Sequence, residues 1–408
     1  MKCGAGKAEI IFPENYYPAD KFSFQSDPLF TRVLLLEFGG IRCAVISMEL
    51  PSVRPWELTD QLRREAADLL EAEYDHVWLA MTHNLSAPHV PAGKEKIHMQ
   101  ALSASLKEAC TDAISQLCTA SVSFGESKCM VNTNRDEESI DGWWVGIHGT
   151  GPSDHSLSLL RFDDEAGKPL AVLYSYALKS SVMESARMRD GRKSVFSDVT
   201  GHAGAQAEEI LGCPVLFLMS AAGDQVPRMK TKYLALDENR KFREVNLYEK
   251  GIDVMHQLAA ELADSVLQAS KTARKIASDD LCMETHMLHV QGKKDYPKTA
   301  PAPPVLSYDY ESDGQKELPV YLMKISEIIL IGSKSEIVTP VLTEIRDAFP
   351  DRHIMMGTLV NGGQGYIAAD YDYDRYSYPG LHSPFAKGTD RVYTDQTIQL
   401  IRNILNRV

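Results

Sequence analysis

The sequence predicts a mixed α/β protein built of α+β layers, and three observations carry that reading. Two apolar runs, "RVLLLEF" and "IRCAVISMEL", are joined by Gly39-Gly40, a strong hairpin signal. A second pair, "SLSLLRF" and "PLAVLYSYAL", flanks the polar turn "DDEAGK". Between and after these hairpins stand stretches with helical rather than strand periodicity.

In chain order, residues 55–73, "PWELTDQLRREAADLLEAE", place apolar residues at helical spacing behind a proline that a first turn tolerates. Residues 76–82 read as a buried strand, 97–118 as a helix and 121–129 as a strand. After the second hairpin, "GHAGAQAEEIL" predicts a helix and "PVLFLMS" a buried strand running into "AAGD". A long helix is expected around 246–270, followed by an alternating, half-buried strand in "LCMETHMLHV". Residues 292–318 combine proline with charge and predict a surface insertion between strands of similar character. Beyond it, "VYLMKIS", "EIILIGS" and "HIMMGTLV" read as strands, 338–348 as a helix and 389–406 as a closing helix. No internal sequence repeat is visible, and residues 1–408 read as one domain.

Of 408 residues, 44% are hydrophobic and 24% charged, enough apolar content for a large core. No run reaches the roughly 18 to 20 apolar residues a bilayer crossing needs. The N-terminus "MKCGAGKAEIIF" lacks the apolar segment of a secretory signal. Seven cysteines, odd in number and without a C-x-x-C pair, suit reduced thiols in a cytoplasmic protein. A net charge of −13 with no Lys/Arg block argues against nucleic acid and against anionic membranes as partners. The expected partner is a small polar substrate, and a homo-oligomer is the default for an enzyme of this size.

Candidate chemistry gathers at apparent strand ends. His83, in "MTHNLSAPHV", ends its strand, and His89 follows in the same loop. Lys179 lies just past an apolar run in "YALKSSVM". Asp198 and His202, in "SDVTGHAG", share one face of a helix at i, i+4 spacing. Asp224 lies in "SAAGDQVP", Glu336 follows "IILIGSKS", and Tyr366 and Tyr378 sit in the tyrosine-rich "GYIAADYDYDRYSYPG". Singly, each has a plain structural explanation: a satisfied core histidine, a Gly-Asp turn, a helix-starting glutamate favoured by the dipole, a packed tyrosine loop.

Together and in this order, the blocks resemble the catalytic domain of the neutral, non-lysosomal ceramidase family, a group of zinc-dependent amidases. "GAGKAEI", "THNLSAPH", "NR" at 134–135, "LSLLRFDDEAGKPLAVL", "FLMSAAGDQVP", "GSKSEIVT" and "NGGQGYI…YSYPG…SPFAKG" follow the family's order. The resemblance implies the family's α/β catalytic fold without the C-terminal immunoglobulin-like domain of its secreted members. It places His83, Glu336 and Tyr366 on zinc ligands and Tyr378 on a tyrosine near the substrate amide. The second zinc histidine falls on Lys179, the second histidine of a His-x-His pair on Leu85, and a serine beside Gly-Asp on Val226.

The expectation is therefore a metal-dependent hydrolase, with zinc as the cofactor. His83, Glu336 and Tyr366 would hold the metal, with His202 as a replacement ligand. Lys179, Tyr378, Asp198 and Asp224 would assist catalysis, and His89, Tyr366 and Tyr378 would line the pocket. The substrate would be smaller and more polar than ceramide, an amide or a sugar derivative. Two alternatives stand beside this: a metal-assisted lyase or epimerase using Lys179 as base, and a non-catalytic binding protein.

Overall fold

A computed structural model describes residues 1–277 and 280–406. Its plan is one topology used three times. In the first unit the strand Lys2–Glu9 pairs antiparallel with Phe30–Phe38, which turns back into Ile41–Met48. The helix Trp56–Leu70 then carries the chain across to Val77–Met81, parallel to Ile41–Met48. The second unit repeats this with Ser121–Lys128, Ser156–Asp163, Pro169–Tyr176, the helix Asp198–Leu211 and the parallel strand Val215–Met219. The third uses Leu281–Lys293, Ser312–Ile325, Ile328–Ser333, the helix Thr339–Asp347 and the parallel strand His353–Thr358. Each unit ends in a longer helix: Glu95–Ser115, Lys250–Thr272 and Thr389–Leu405.

Strand alternation explains how these units pack. Leu34, Leu36 and Val45 of the first sheet meet Leu160, Leu173 and Leu218 of the second and Met323, Leu330 and Met355 of the third in one shared core. The intervening residues Val33, Leu35 and Ile46 face outward into a layer filled by helices. Gly4 and Gly6 let the helix Glu95–Ser115 lie directly on the first strand, since a Cβ at either would fall 2.0 Å from a helix carbonyl. Gly125 does the same beneath Lys250–Thr272, 2.1 Å from the Ala269 carbonyl. At the predicted Gly39-Gly40 turn both φ values are positive, 58° and 84°, a conformation that glycine adopts without steric cost.

The predicted strands and helices named above form, with ends shifted by a few residues. Three readings change. The surface insertion is shorter than 292–318, because Leu281–Lys293 and Ser312–Ile325 extend into it as a long antiparallel pair. Two hairpins absent from the sequence reading, Asn132–Ser139 with Gly142–His148 and Lys232–Leu236 with Phe242–Asn246, each pair a polar strand with a more apolar one. The tyrosine-rich segment contains two short helices, Asp370–Arg375 and Tyr378–His382. Among the described residues no immunoglobulin-like domain is present, and no helix is long and apolar enough to cross a membrane.

Candidate active site

The repeated topology gathers polar side chains at one place. In each unit the chain leaves the sheet at the carboxyl ends of two parallel strands, the position where open α/β sheets build their clefts. His83 follows Val77–Met81, Lys179 follows Pro169–Tyr176, and Glu336 follows Ile328–Ser333. Glu336 does not start a helix: it pairs with Tyr366 across the short parallel strands Glu336–Ile337 and Tyr366–Ile367. Tyr378 begins the helix Tyr378–His382. These side chains line a cavity of about 620 Å³, a size that suits a small molecule.

Inside it, the Lys179 ammonium lies 2.6 Å from Glu336 Oε2, with the two side chains only 3% and 9% exposed. The contact is a close, charge-assisted ion pair. Nζ also donates to Tyr366 Oη and to the Gly223 carbonyl, each at 3.4 Å. His83 Nε2 stands 3.8 Å from Glu336 Oε1, and neither ring nitrogen of His83 has a hydrogen-bond partner. The His83 backbone is left-handed, φ 53°, strain that a side chain other than glycine adopts only when its surroundings hold it there.

Arg135, on the unforeseen strand Asn132–Ser139, completes the group. Its guanidinium lies 4.7 Å from the Tyr378 ring centre and 5.3 Å from that of Tyr366. The two rings meet edge-on at 5.8 Å. Arg135 is buried, yet Nε and Nη2 have no partner. The "NR" pair at 134–135 was the only signal of it in the sequence.

The electrostatics follow from burial and these neighbours. Burial pushes His83 down to about 4, so the imidazole is neutral at pH 7 and its approach to Glu336 is not an ion pair. Burial, reinforced by Arg135, pulls Lys179 down to about 8, still protonated at neutral pH. Burial raises Glu336, but the Lys179 and Arg135 cations outweigh it and hold the carboxyl below its usual range. Burial drives Tyr366 and Tyr378 upward, keeping both phenols protonated as donors.

Other predicted residues lie outside this group. The Asp198 carboxylate accepts hydrogen bonds from Ser86 Oγ and the backbone N–H groups of Val182, Met183 and Val199. It thereby ties the loop carrying His83 to the loop carrying Lys179. Asp224 accepts from the backbone and hydroxyl of Thr339 at 3.0 and 2.8 Å, while its carbonyl accepts from Arg135 N–H. It ties the Glu336 segment to the Arg135 strand. His202 is bonded to Asp27 at 2.8 Å, stacks edge-on against His256, and does not line the cavity. His89 is exposed, bonded to Ser52 at 2.9 Å, and does not line it either.

The donor set does not match a divalent metal. His83, Glu336 and Tyr366 converge, but the fourth member of the cluster is a cation in contact with the carboxylate. Leu85 and Val226, which also line the cavity, add no donor. Among the described residues no group of three or more His, Cys, Asp and Glu side chains is placed to hold an ion. These residues do not fit one.

No family model and no curated protein sequence matches this chain. Solved structures do. The neutral ceramidase from Pseudomonas aeruginosa aligns over 97% of this chain and 73% of its own, with a TM-score of 0.74 at 15% identity. A ceramidase complexed with C2 aligns over 100% and 75%, with a TM-score of 0.75 at 13% identity. The fold is that of neutral ceramidase. At such identities the likeness is one of architecture, so the chemistry of this ceramidase-like chain rests on its own side chains.

Proposed function

We propose that the protein is a hydrolase that cleaves the amide bond of a small, polar substrate. One observation carries this reading: a neutral histidine, a carboxylate, two protonated phenols and two buried cations face a single cavity in a ceramidase-like fold. The cavity size and its charged lining, which includes Arg54, Glu184 and Lys230 as well as the central group, suit a compact polar molecule rather than a lipid chain.

In this mechanism a water held between His83 and Glu336 attacks the carbonyl carbon, and the neutral His83 imidazole accepts its proton. The carbonyl oxygen becomes an oxyanion beside Lys179, Arg135 and the Tyr378 hydroxyl, donors fixed before the reaction begins. The C–N bond then breaks, and the proton passes from His83 to the departing nitrogen. The products are a carboxylic acid and an amine, which leave as carboxylate and ammonium once the acid's proton passes to the amine. The unpartnered Nε and Nη2 of Arg135 favour this assignment, because buried guanidinium donors without partners are costly unless a ligand supplies acceptors.

The test is a panel of N-acyl amino acids and N-acyl sugars incubated in ¹⁸O-water, with products followed by mass spectrometry. One labelled oxygen in the released carboxylate supports hydrolysis. Deuterium exchange into an intact substrate in a parallel ²H₂O incubation, without cleavage, overturns it in favour of proton abstraction.

A further inference from the structure

We infer that the Lys179 ammonium is a built-in replacement for a metal ion, so that this centre works with a protein cation where a donor set of its shape would otherwise gather around a divalent one. Three oxygen acceptors from separate chain segments converge on Nζ: Glu336 Oε2 at 2.6 Å, Tyr366 Oη at 3.4 Å and the Gly223 carbonyl at 3.4 Å. A histidine with two unpartnered ring nitrogens stands across Glu336 from it. An imidazole and a carboxylate grouped in this way are donors that a catalytic zinc uses. Here the carboxylate contacts a nitrogen that has no lone pair to give while protonated, with the imidazole on its far side.

The charge balance points the same way. Glu336 already has a full positive partner in Lys179, and the Arg135 guanidinium lies over the rings of both Tyr366 and Tyr378. A dication entering beside Glu336 would face two fixed cations, Lys179 and Arg135, that already act on its carboxylate. A buried ion pair with its partner in place is a stable arrangement, whereas a buried uncompensated charge is not. Lys179 therefore supplies the positive charge at this site, and Leu85 and Val226 line the same cavity as apolar groups.

This inference depends on the site described above but not on the hydrolysis proposed for it, because it is read by metal binding with no substrate present. The protein is stripped with EDTA, then titrated with zinc while bound metal is measured by elemental mass spectrometry and melting is followed by calorimetry. The wild-type protein is expected to stay sub-stoichiometric in zinc at micromolar concentrations and to show no zinc-dependent rise in melting temperature. Lys179→His, which supplies an imidazole in place of the ammonium, is expected to bind about one equivalent, on the order of 10²-fold more tightly. Stoichiometric zinc in the wild-type protein, lost in His83→Ala, overturns the inference. A folded Lys179→His variant that binds zinc no better than wild type overturns it too. Should that variant fail to fold, the wild-type titration decides alone.

Discussion

Two buried charged centres in this molecule are built on opposite principles. In the first, Arg32 bonds Glu49 Oε1 at 2.5 Å and grips Glu208 through Nε and Nη2 at 2.6 and 3.2 Å. Every remaining carboxylate oxygen is also used. Glu49 Oε2 accepts from Phe30 N–H, and Glu208 accepts from Lys7 and from Val215 N–H. Burial lowers the Arg32 guanidinium, but the two carboxylates outweigh it and hold it firmly charged. In the second, around Lys179, comparable burial leaves Arg135 Nε and Nη2 and both nitrogens of His83 without hydrogen-bond partners. A fully satisfied network has nothing left to offer a ligand and acts as a clamp. A network with unmet donors and acceptors at a cavity holds capacity for one.

That contrast can be broken first at the clamp. Arg32→Met leaves Glu49 and Glu208 buried without their shared cation and is expected to cost about 3–5 kcal/mol of stability, read from denaturant midpoints. Catalysis per folded molecule should be unchanged, and a loss of turnover in well-folded Arg32→Met would erase the distinction. Lys179→Met should show the reverse balance. Its kcat/KM is expected to fall by roughly 10²–10³-fold, the cost of one oxyanion donor. Its stability loss should be the smaller of the two, because Glu336 borders a cavity that water can enter.

A smaller effect separates buried neutral groups from buried pairs. His98, fully buried and bonded through Nδ1 to Tyr16 Oη at 2.6 Å, is driven by burial to about 4, as is His83. Between pH 6.5 and 4 the unfolded chain binds protons that these folded histidines refuse. Stability is therefore full above pH 6.5 and falls as the pH drops through that window, by at most about 1.4 kcal/mol per pH unit for each histidine. His98→Gln is expected to flatten the slope of unfolding free energy against pH; an unchanged slope would refute the assignment. The smallest effect belongs to the surface. Lys2, half exposed and 2.6 Å from Glu37, should change stability by less than about 1 kcal/mol when replaced by alanine, and 1 M salt should remove most of that.

Much of the architecture was legible because it is local. The Gly39-Gly40 turn, the alternation of "RVLLLEF" and the amphipathic Trp56–Leu70 helix each announce themselves within a few residues. The strand Asn132–Ser139 did not, since "NTNRDEES" reads as a polar loop. Its Asn132 side chain is buried only because it bonds the Asp154 and Ala177 carbonyls, partners distant in the chain. The threefold topology was equally hidden, because strand order and helix placement recur while the residues that fill them do not.

The sequence by itself determined the elements, the apolar faces that pack them and the chemical types present at strand ends, because each of these follows from neighbours a few residues apart. The tertiary structure decided which of those residues act together. It brought Lys179 against Glu336, added Arg135, assigned Asp198 and Asp224 to bracing the loops, and left His89 and His202 outside. The physical reason is that hydrogen bonds and ion pairs act over a few ångströms. Only the packing of three sheets on one core brings positions so far apart in the chain within that range.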